Sequence, residues 1–232
     1  MKAATNATSR FVLLLALLGL TAAAGAAGKT SEPAASSHSL SELARHADLV
    51  ALVQVMETDY TYARSFPNAG SAYLKILIDY KRKRAGGDTI EVYEKGLRLH
   101  ECYFPSPGSV GTGGRFLVFL RVDPGDPDRY RGLPEGCALQ VLVRSDQRYA
   151  LRYPVDGIAI SDPLDTLAQP YRFEDPHAVI DADKITPQRR NELLARGLIE
   201  RYGDDFKYTH GVDLTAARKL IDEAALSSRD RK

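Results

Sequence analysis

The fold is decided between Asp88 and Val143. This stretch runs through Thr89-Ile90-Glu91-Val92-Tyr93, then His100-Glu101-Cys102-Tyr103-Phe104-Pro105, then a Gly/Ser/Pro loop. The unbroken apolar run Phe116-Leu117-Val118-Phe119-Leu120 follows, and a Pro/Asp/Gly turn region leads to Gly136-Cys137. The first piece alternates as a half-buried strand does, with Ile90 and Val92 inward. The apolar run reads as a strand covered on both faces. Cys102 and Cys137 are the only cysteines of the chain. A disulfide between them would close a loop of roughly 35 residues and stabilise the fold by roughly 4 kcal/mol in the chain-entropy picture.

The N-terminus sets the compartment in which such a bridge could persist. Lys2 and Arg10 flank a polar start, Phe11 to Leu20 is apolar, and Ala22 to Ala27 are small. This is the pattern of a secretory signal peptide, with Ala24-Gly25-Ala26 or Ala22-Ala23-Ala24 as the cleavage motif. The apolar run is too short to span a bilayer, and no second such run follows, so the mature chain is expected to have no membrane span. An exported chain with two cysteines favours the disulfide. The precursor carries 31 Lys+Arg against 30 Asp+Glu; removing residues 1–27 takes Lys2 and Arg10 and no acid, moving the formal charge from +1 to −1. A near-neutral chain gives no bulk attraction for nucleic acid or an anionic membrane. At 44% hydrophobic residues the chain can build a core.

Gly28 to Ser37 reads as a disordered lead. Ser39-Leu40-Ser41-Glu42 is a capping box opening a short helix that ends near His46-Ala47. Leu49 to Val55 forms the first strand, almost without polar residues and therefore central. Tyr73 to Tyr80 alternates as the second, and Lys81-Arg82-Lys83-Arg84-Ala85-Gly86-Gly87 turns the chain into the third, around Thr89 to Tyr93. Arg115 to Val122 is the fourth, Leu139, Val141 and Val143 mark a fifth, and Tyr149, Leu151 and Tyr153 a sixth. About six short strands joined by Gly/Pro turns suggest a small closed barrel or sandwich. Asp156 to Asp183 lacks a sustained period. Thr186-Pro187 opens a helix with the stripe Leu193, Leu194 and Leu198. A last helix runs from about Asp213 to Ala225 with Leu214, Ala217, Leu220, Ile221 and Ala224 on one face.

The sequence Ala-Asp-Leu-Val-Ala-Leu-Val-Gln-Val (47–55), a second strand ending at a basic turn, a Gly-rich loop and Gly114-Arg115-Phe116-Leu117-Val118-Phe119-Leu120 together resemble exported bacterial OB-fold-type proteins. These are similar in shape to netrin-like and tissue-inhibitor-of-metalloproteinase modules. The resemblance covers Ser39 to Tyr153 and implies a small OB-like β-barrel there; with the helices read above, the expected fold is mainly β, a small OB-like barrel of about six strands with a short N-terminal helix and a C-terminal helical pair. Metalloproteinase inhibitors of that shape chelate zinc through a mature N-terminal cysteine, which this chain lacks, so that mechanism does not carry over. The expected organisation is a signal peptide (1–27), a disordered lead (28–38), the barrel (39–154), an irregular linker packed on it (155–185), a helical pair (186–226) and a tail (227–232).

No constellation spells catalysis. His38, His46, His100, His177 and His210 lack metal-ligand spacing. His100-Glu101-Cys102 offers ligands, but a disulfide removes the thiolate that a metal needs. Asp123-Pro124-Gly125-Asp126-Pro127-Asp128 has carboxylates for a hard cation without the calcium-loop alternation, and is what a turn between strands requires. Glycines 108, 111, 113 and 114 precede a strand, whereas a phosphate cradle needs a helix start. There is no G-x-S-x-G elbow. No cofactor and no metal is expected.

Three stretches could bind. Lys81 to Arg84 lies at the strand 2–3 turn, next to the surface on which OB barrels hold nucleic acid or sugar, although charged hairpin tips also serve to block edge pairing. The strand 1–2 loop, Asp59 to Gly70, carries Tyr60, Tyr62, Arg64 and Phe66, and the strand 4–5 loop carries Arg129, Tyr130 and Arg131. Tyr and Arg are the residues that interfaces concentrate as anchors. The expectation is therefore an exported, periplasmic or secreted binding module that uses these loops to hold a protein or small ligand of the cell envelope, with nucleic acid an unfavourable partner. An envelope hydrolase built on His100 with Glu94 or Glu101 is one alternative. Another is a structural accessory protein that assembles through an exposed stripe of Leu193, Leu198, Leu220 and Ile221.

Overall fold

In the computed structural model, residues 37–96, 102–108 and 113–227 are described. The signal-peptide reading, most of the lead, His100, Glu101, Gly111 and all but the first residue of the tail lie outside them.

The solid apolar runs of the first and fourth strands fold as they do because each face of each strand meets a different core. β1 (Leu49–Ala63) pairs antiparallel with β2 (Phe66–Arg82) along its length, and along its other edge, from Leu49 to Gln54, with β4 (Arg115–Asp123). β2 pairs with β3 (Thr89–Lys95), and β3 runs parallel to β5 (Asp126–Gly132) at Val92 and Tyr130. β5 returns antiparallel to β4 and closes a five-stranded barrel in the order β1-β2-β3-β5-β4-β1. Leu49, Ala51, Val53 and Val55 of β1, with Val118 and Leu120 of β4, point into the barrel. Val50, Leu52, Leu117 and Phe119 point the other way, into a second core. Period-two alternation is therefore present in both strands, but both phases are apolar.

The second core is roofed by two helices. α1 (Leu40–His46) begins at the expected capping box, with Ser39 Oγ accepting from the Glu42 amide and the Glu42 carboxylate accepting from the Ser39 amide. It packs against α4 (Leu214–Ser227), which contributes Leu214, Ala217 and Ile221. β6 (Ala138–Val143) and β7 (Tyr149–Tyr153), expected as barrel strands, continue the sheet outward from β4. β4 shares one edge between two partners, β6 at Arg115–Val118 and β5 at Leu120–Asp123. Beyond β7 the sheet takes in β12 (His210–Asp213) and β8 (Gln169–Pro170), nine strands in all.

A third core lies on the far side of β6 and β7. It gathers Leu142 and Ala150 with Phe173, Ala178, Leu193, Leu198 and Phe206. It is closed by α3 (Pro187–Ala195) and a small sheet of β9 (Val179–Ile180), β10 (Ile199–Tyr202) and β11 (Asp205–Tyr208). Both C-terminal helices therefore form where the sequence places them, but α3 lies on β10 and α4 on α1, with three strands between them in the chain. The segment expected as an irregular linker buries Ile158 and Leu164 in the second core and Phe173 and Ala178 in the third, and holds a short helix α2 (Leu164–Leu167).

Cys102 and Cys137 form the expected disulfide, joining the segment after β3 to the start of β6. Gly132 is packed beneath it: a Cβ there would lie 2.8 Å from Cys102 Cβ and 3.0 Å from Cys137 Cβ. Gly113, in the stretch read as a flexible loop, is fixed by a similar approach, since a Cβ would stand 1.8 Å from the Val55 carbonyl oxygen.

Candidate functional site

The first hairpin is longer than its sequence predicts. The expected Asp59–Gly70 loop is strand on both sides, and the connection narrows to Arg64-Ser65 between the paired Ala63 and Phe66. Bulges at Val55/Glu57 and Thr61/Tyr62 bend the ribbon, and Met56 is the extra residue at the first of them. β3 accompanies β2 only to Ala69, and β1 pairs with β4 only to Gln54, so the last residues form a two-stranded ribbon. Arg64 has φ 59, a left-handed conformation that a non-glycine residue adopts only at a steric cost.

On this ribbon the predicted residues separate. Tyr62 is 59% exposed and Phe66 66%, one on each side of the turn. Tyr60 is half-buried instead. Its hydroxyl accepts the Phe104 amide at 3.1 Å, its ring meets Tyr103 edge-on at 5.1 Å, and burial pushes its phenol up to about 12.

The other predicted loop is no loop. Arg129, Tyr130 and Arg131 lie within β5, and Tyr130 is 7% exposed, packed in the barrel core. Its flanking arginines point outward and are engaged. Arg129 Nε donates to Asp123 at 2.7 Å and its guanidinium sits 4.1 Å from the Tyr93 ring centre, while Arg131 lies 3.8 Å from Glu94. The Arg-Tyr-Arg pattern is strand alternation, with the aromatic inward and the cations out, so Tyr130 is no contact residue.

The basic run is likewise absorbed. Lys81 Nζ donates to the carbonyls of Ala44 at 2.7 Å and Ala47 at 2.6 Å, holding the C-terminal end of α1, where a cation is favoured by the helix dipole. Burial, with the neighbouring Lys83 charge, pulls its pKa below the ordinary lysine value against the pull of Asp48. Lys83 pairs with Asp48 at 2.6 Å, and Asp48 in turn accepts the Val122 amide. Arg82 donates to Gly87 and Arg84 reaches Pro127 and Asp128. These four side chains tie the β2–β3 turn to α1 and to the β4–β5 hairpin.

The acidic stretch is the turn its residues suggested, with Pro124-Gly125 joining β4 to β5. Burial pushes the Asp123 carboxyl up, but the Gly125 amide and Arg129 outweigh it and hold it below the usual carboxylate range. Among the described residues no cluster of His, Cys, Asp and Glu could hold a metal ion, and no helix is long and apolar enough to cross a membrane. Glu94, one half of the hydrolase alternative, is buried and accepts the Gly132 amide at 2.6 Å; His100 and Glu101 lie outside the described residues. His46 meets Glu135 at 3.5 Å at the exposed end of α1. Leu193, Leu198 and Ile221 are buried within the chain and Leu220 packs on the same core as Ile221, so these residues present no stripe to a partner.

Sequence reasoning missed three exposed residues of the β1–β2 hairpin, Met56 at its bulge, Tyr73 opposite Glu57, and Ile78. It also missed two clefts. One, of about 450 Å³, lies among Ile78, Tyr80, Tyr149 and Arg218. The other, of about 560 Å³, lies between residues 170–173 and the β10–β11 hairpin. No family model, no curated protein and no solved structure matches the chain.

Proposed function

We propose that this chain is an exported binding module that engages a protein or small ligand of the cell envelope through the tip of the β1–β2 ribbon, with Tyr62, Arg64 and Phe66 as the contact set. One observation carries this reading. Of the six large apolar side chains that stand exposed among the described residues, five belong to this hairpin, and the two most exposed of all, Phe66 and Tyr62, flank its turn. Apolar exposure concentrated on one element marks an interaction surface, whereas scattered single residues do not. Tyr and Arg are also the side chains that anchor interfaces. Export is supported by the N-terminal pattern of charge, apolar run and small residues, and by a disulfide of the kind that persists in oxidising compartments.

The test is site-specific photo-crosslinking from position 65, in the turn between the two rings, in the native compartment, with Tyr62 and Phe66 present and in the Tyr62→Ala/Phe66→Ala chain. Position 65 should capture one partner, and the double variant should lose it with an unchanged melting temperature. Capture that survives the double substitution would refute the assignment. So would a fall of many degrees in melting temperature, since it would place the two rings in a core.

A further inference from the structure

The larger cleft lies where the edge of the nine-stranded sheet meets the β10–β11 hairpin. Its volume of about 560 Å³ is within the range of small-ligand sites. Its floor is Phe173, buried in the third core, with Tyr171 packed edge-on against it at 6.2 Å. Tyr208 is buried beside them, and Tyr202, 55% exposed, forms the outer wall.

Each of the three tyrosines carries a cation of the chain on its ring. Arg144 lies 4.0 Å from the Tyr171 centre, Arg152 4.8 Å from Tyr208, and Lys207 Nζ 4.9 Å from Tyr202. Arg144 and Arg152 are themselves neutralised, by Asp213 and Asp146 and by Asp156 respectively. They hold the rings in place.

The remaining charges of the cleft form no ion pairs with one another. Glu200 and Lys207 are direct cross-strand partners, yet the ammonium leans onto Tyr202 and the two form no ion pair. Among the described residues the side chains of Glu200 and Arg172 make no hydrogen bond or ion pair. The cleft thus presents two cations and one carboxylate among aromatic walls.

That combination restricts the ligand. A simple anion would face Glu200, and a simple cation would face Arg172 and Lys207. A ligand that satisfies every group carries a carboxylate for Arg172 and Lys207, hydroxyl donors for Glu200, and a flat apolar face for the tyrosines. We propose that this cleft binds an acidic sugar ring, a hexuronate or a chain of them, at a site separate from the β1–β2 ribbon.

The test is NMR titration of the full chain with glucuronate, glucose and glutamate as separate probes. Glucuronate should bind saturably in the millimolar range, perturbing resonances of residues 171–173 and 200–208, and glucose at least about tenfold more weakly. Arg172→Gln, Lys207→Gln and Glu200→Ala should each weaken glucuronate by about tenfold, and Tyr202→Ala should abolish saturation. Binding of glucuronate and glucose with equal affinity, or no saturable perturbation in the cleft, would overturn the proposal, as would glutamate binding as tightly as glucuronate. Because Arg172 and Lys207 lie outside the cores, their variants keep the test decisive even if Tyr202→Ala fails to fold.

Discussion

Replacing Lys81 by methionine separates two accounts of the basic run. Methionine keeps the apolar stem and removes the ammonium that holds the Ala44 and Ala47 carbonyls at 2.7 and 2.6 Å. Hydrogen bonds to a charged group are each worth about 1.5–3 kcal/mol net, and the desolvation of the ammonium offsets part of two such bonds, leaving a loss of about 2 kcal/mol. For a chain of this size that corresponds to a fall of about 4–8 °C in Tm. Lys83 is the internal control. Its ion pair with Asp48 is solvent-exposed on the lysine side, so Lys83→Met should cost about 0.5 kcal/mol. Urea unfolding of both variants, followed by circular dichroism, gives the comparison. The midpoint should move for Lys81→Met with the slope unchanged. If the two substitutions cost the same, or if Lys81→Met costs under about 0.5 kcal/mol, then Lys81 does not hold α1 and the run is a solvated tip.

Other consequences can be measured on the same chain. Tyr130→Ala should destabilise it by about 3–5 kcal/mol, as truncating a buried aromatic does, whereas Tyr62→Ala should stay within about 0.5 kcal/mol; equal effects would mean that β5 is misregistered. Gly132→Ala pushes a methyl group against both disulfide Cβ atoms and against Glu94 Oε1 at 3.1 Å, and should cost about 1–3 kcal/mol in thermal or urea unfolding. An unchanged midpoint would show that the bridge has room to shift. The carboxyls of Asp123 and Asp48 are both held below the usual range, Asp48 by Lys83 and the Val122 amide against the upward push of burial. Depressed carboxylates contribute stability that is complete above their unfolded value and lost as the pH falls through the folded one, so stability should decline below about pH 4. Asp123→Asn should flatten that decline, and an unaltered acid slope would count against the Arg129–Asp123 contact.

Much of the barrel was legible because its strongest signals are local. The capping box at Ser39 depends on residues three apart, and the apolar runs of β1 and β4 announce strands covered on both faces. β5 was illegible because Asp126-Pro127-Asp128-Arg129-Tyr130-Arg131-Gly132 has one large apolar side chain. It is a strand because β4 and β3 supply backbone partners on both sides, which is tertiary information. The ribbon reads as a loop in the sequence because Arg64-Ser65 lacks the Asn-Gly or Asp-Gly signal of a tight hairpin. Tyr62 and Phe66 are legible as candidates by residue type alone, and the same criterion misplaces Tyr130, since type does not tell which way a strand faces. The cleft could not be read at all. Its walls come from segments almost thirty residues apart, and its defining property, charges that do not pair, exists only in three dimensions.

The roof of the second core has a consequence for the order in which the chain can become folded. Its two helices stand at opposite ends of the described sequence, α1 at Leu40–His46 and α4 at Leu214–Ser227. A chain emerging from its N-terminus can close the barrel once β5 appears, yet the outer apolar face of β1 and β4 stays wet until α4 arrives. Native stability is therefore reached only after nearly the whole described sequence is available to fold.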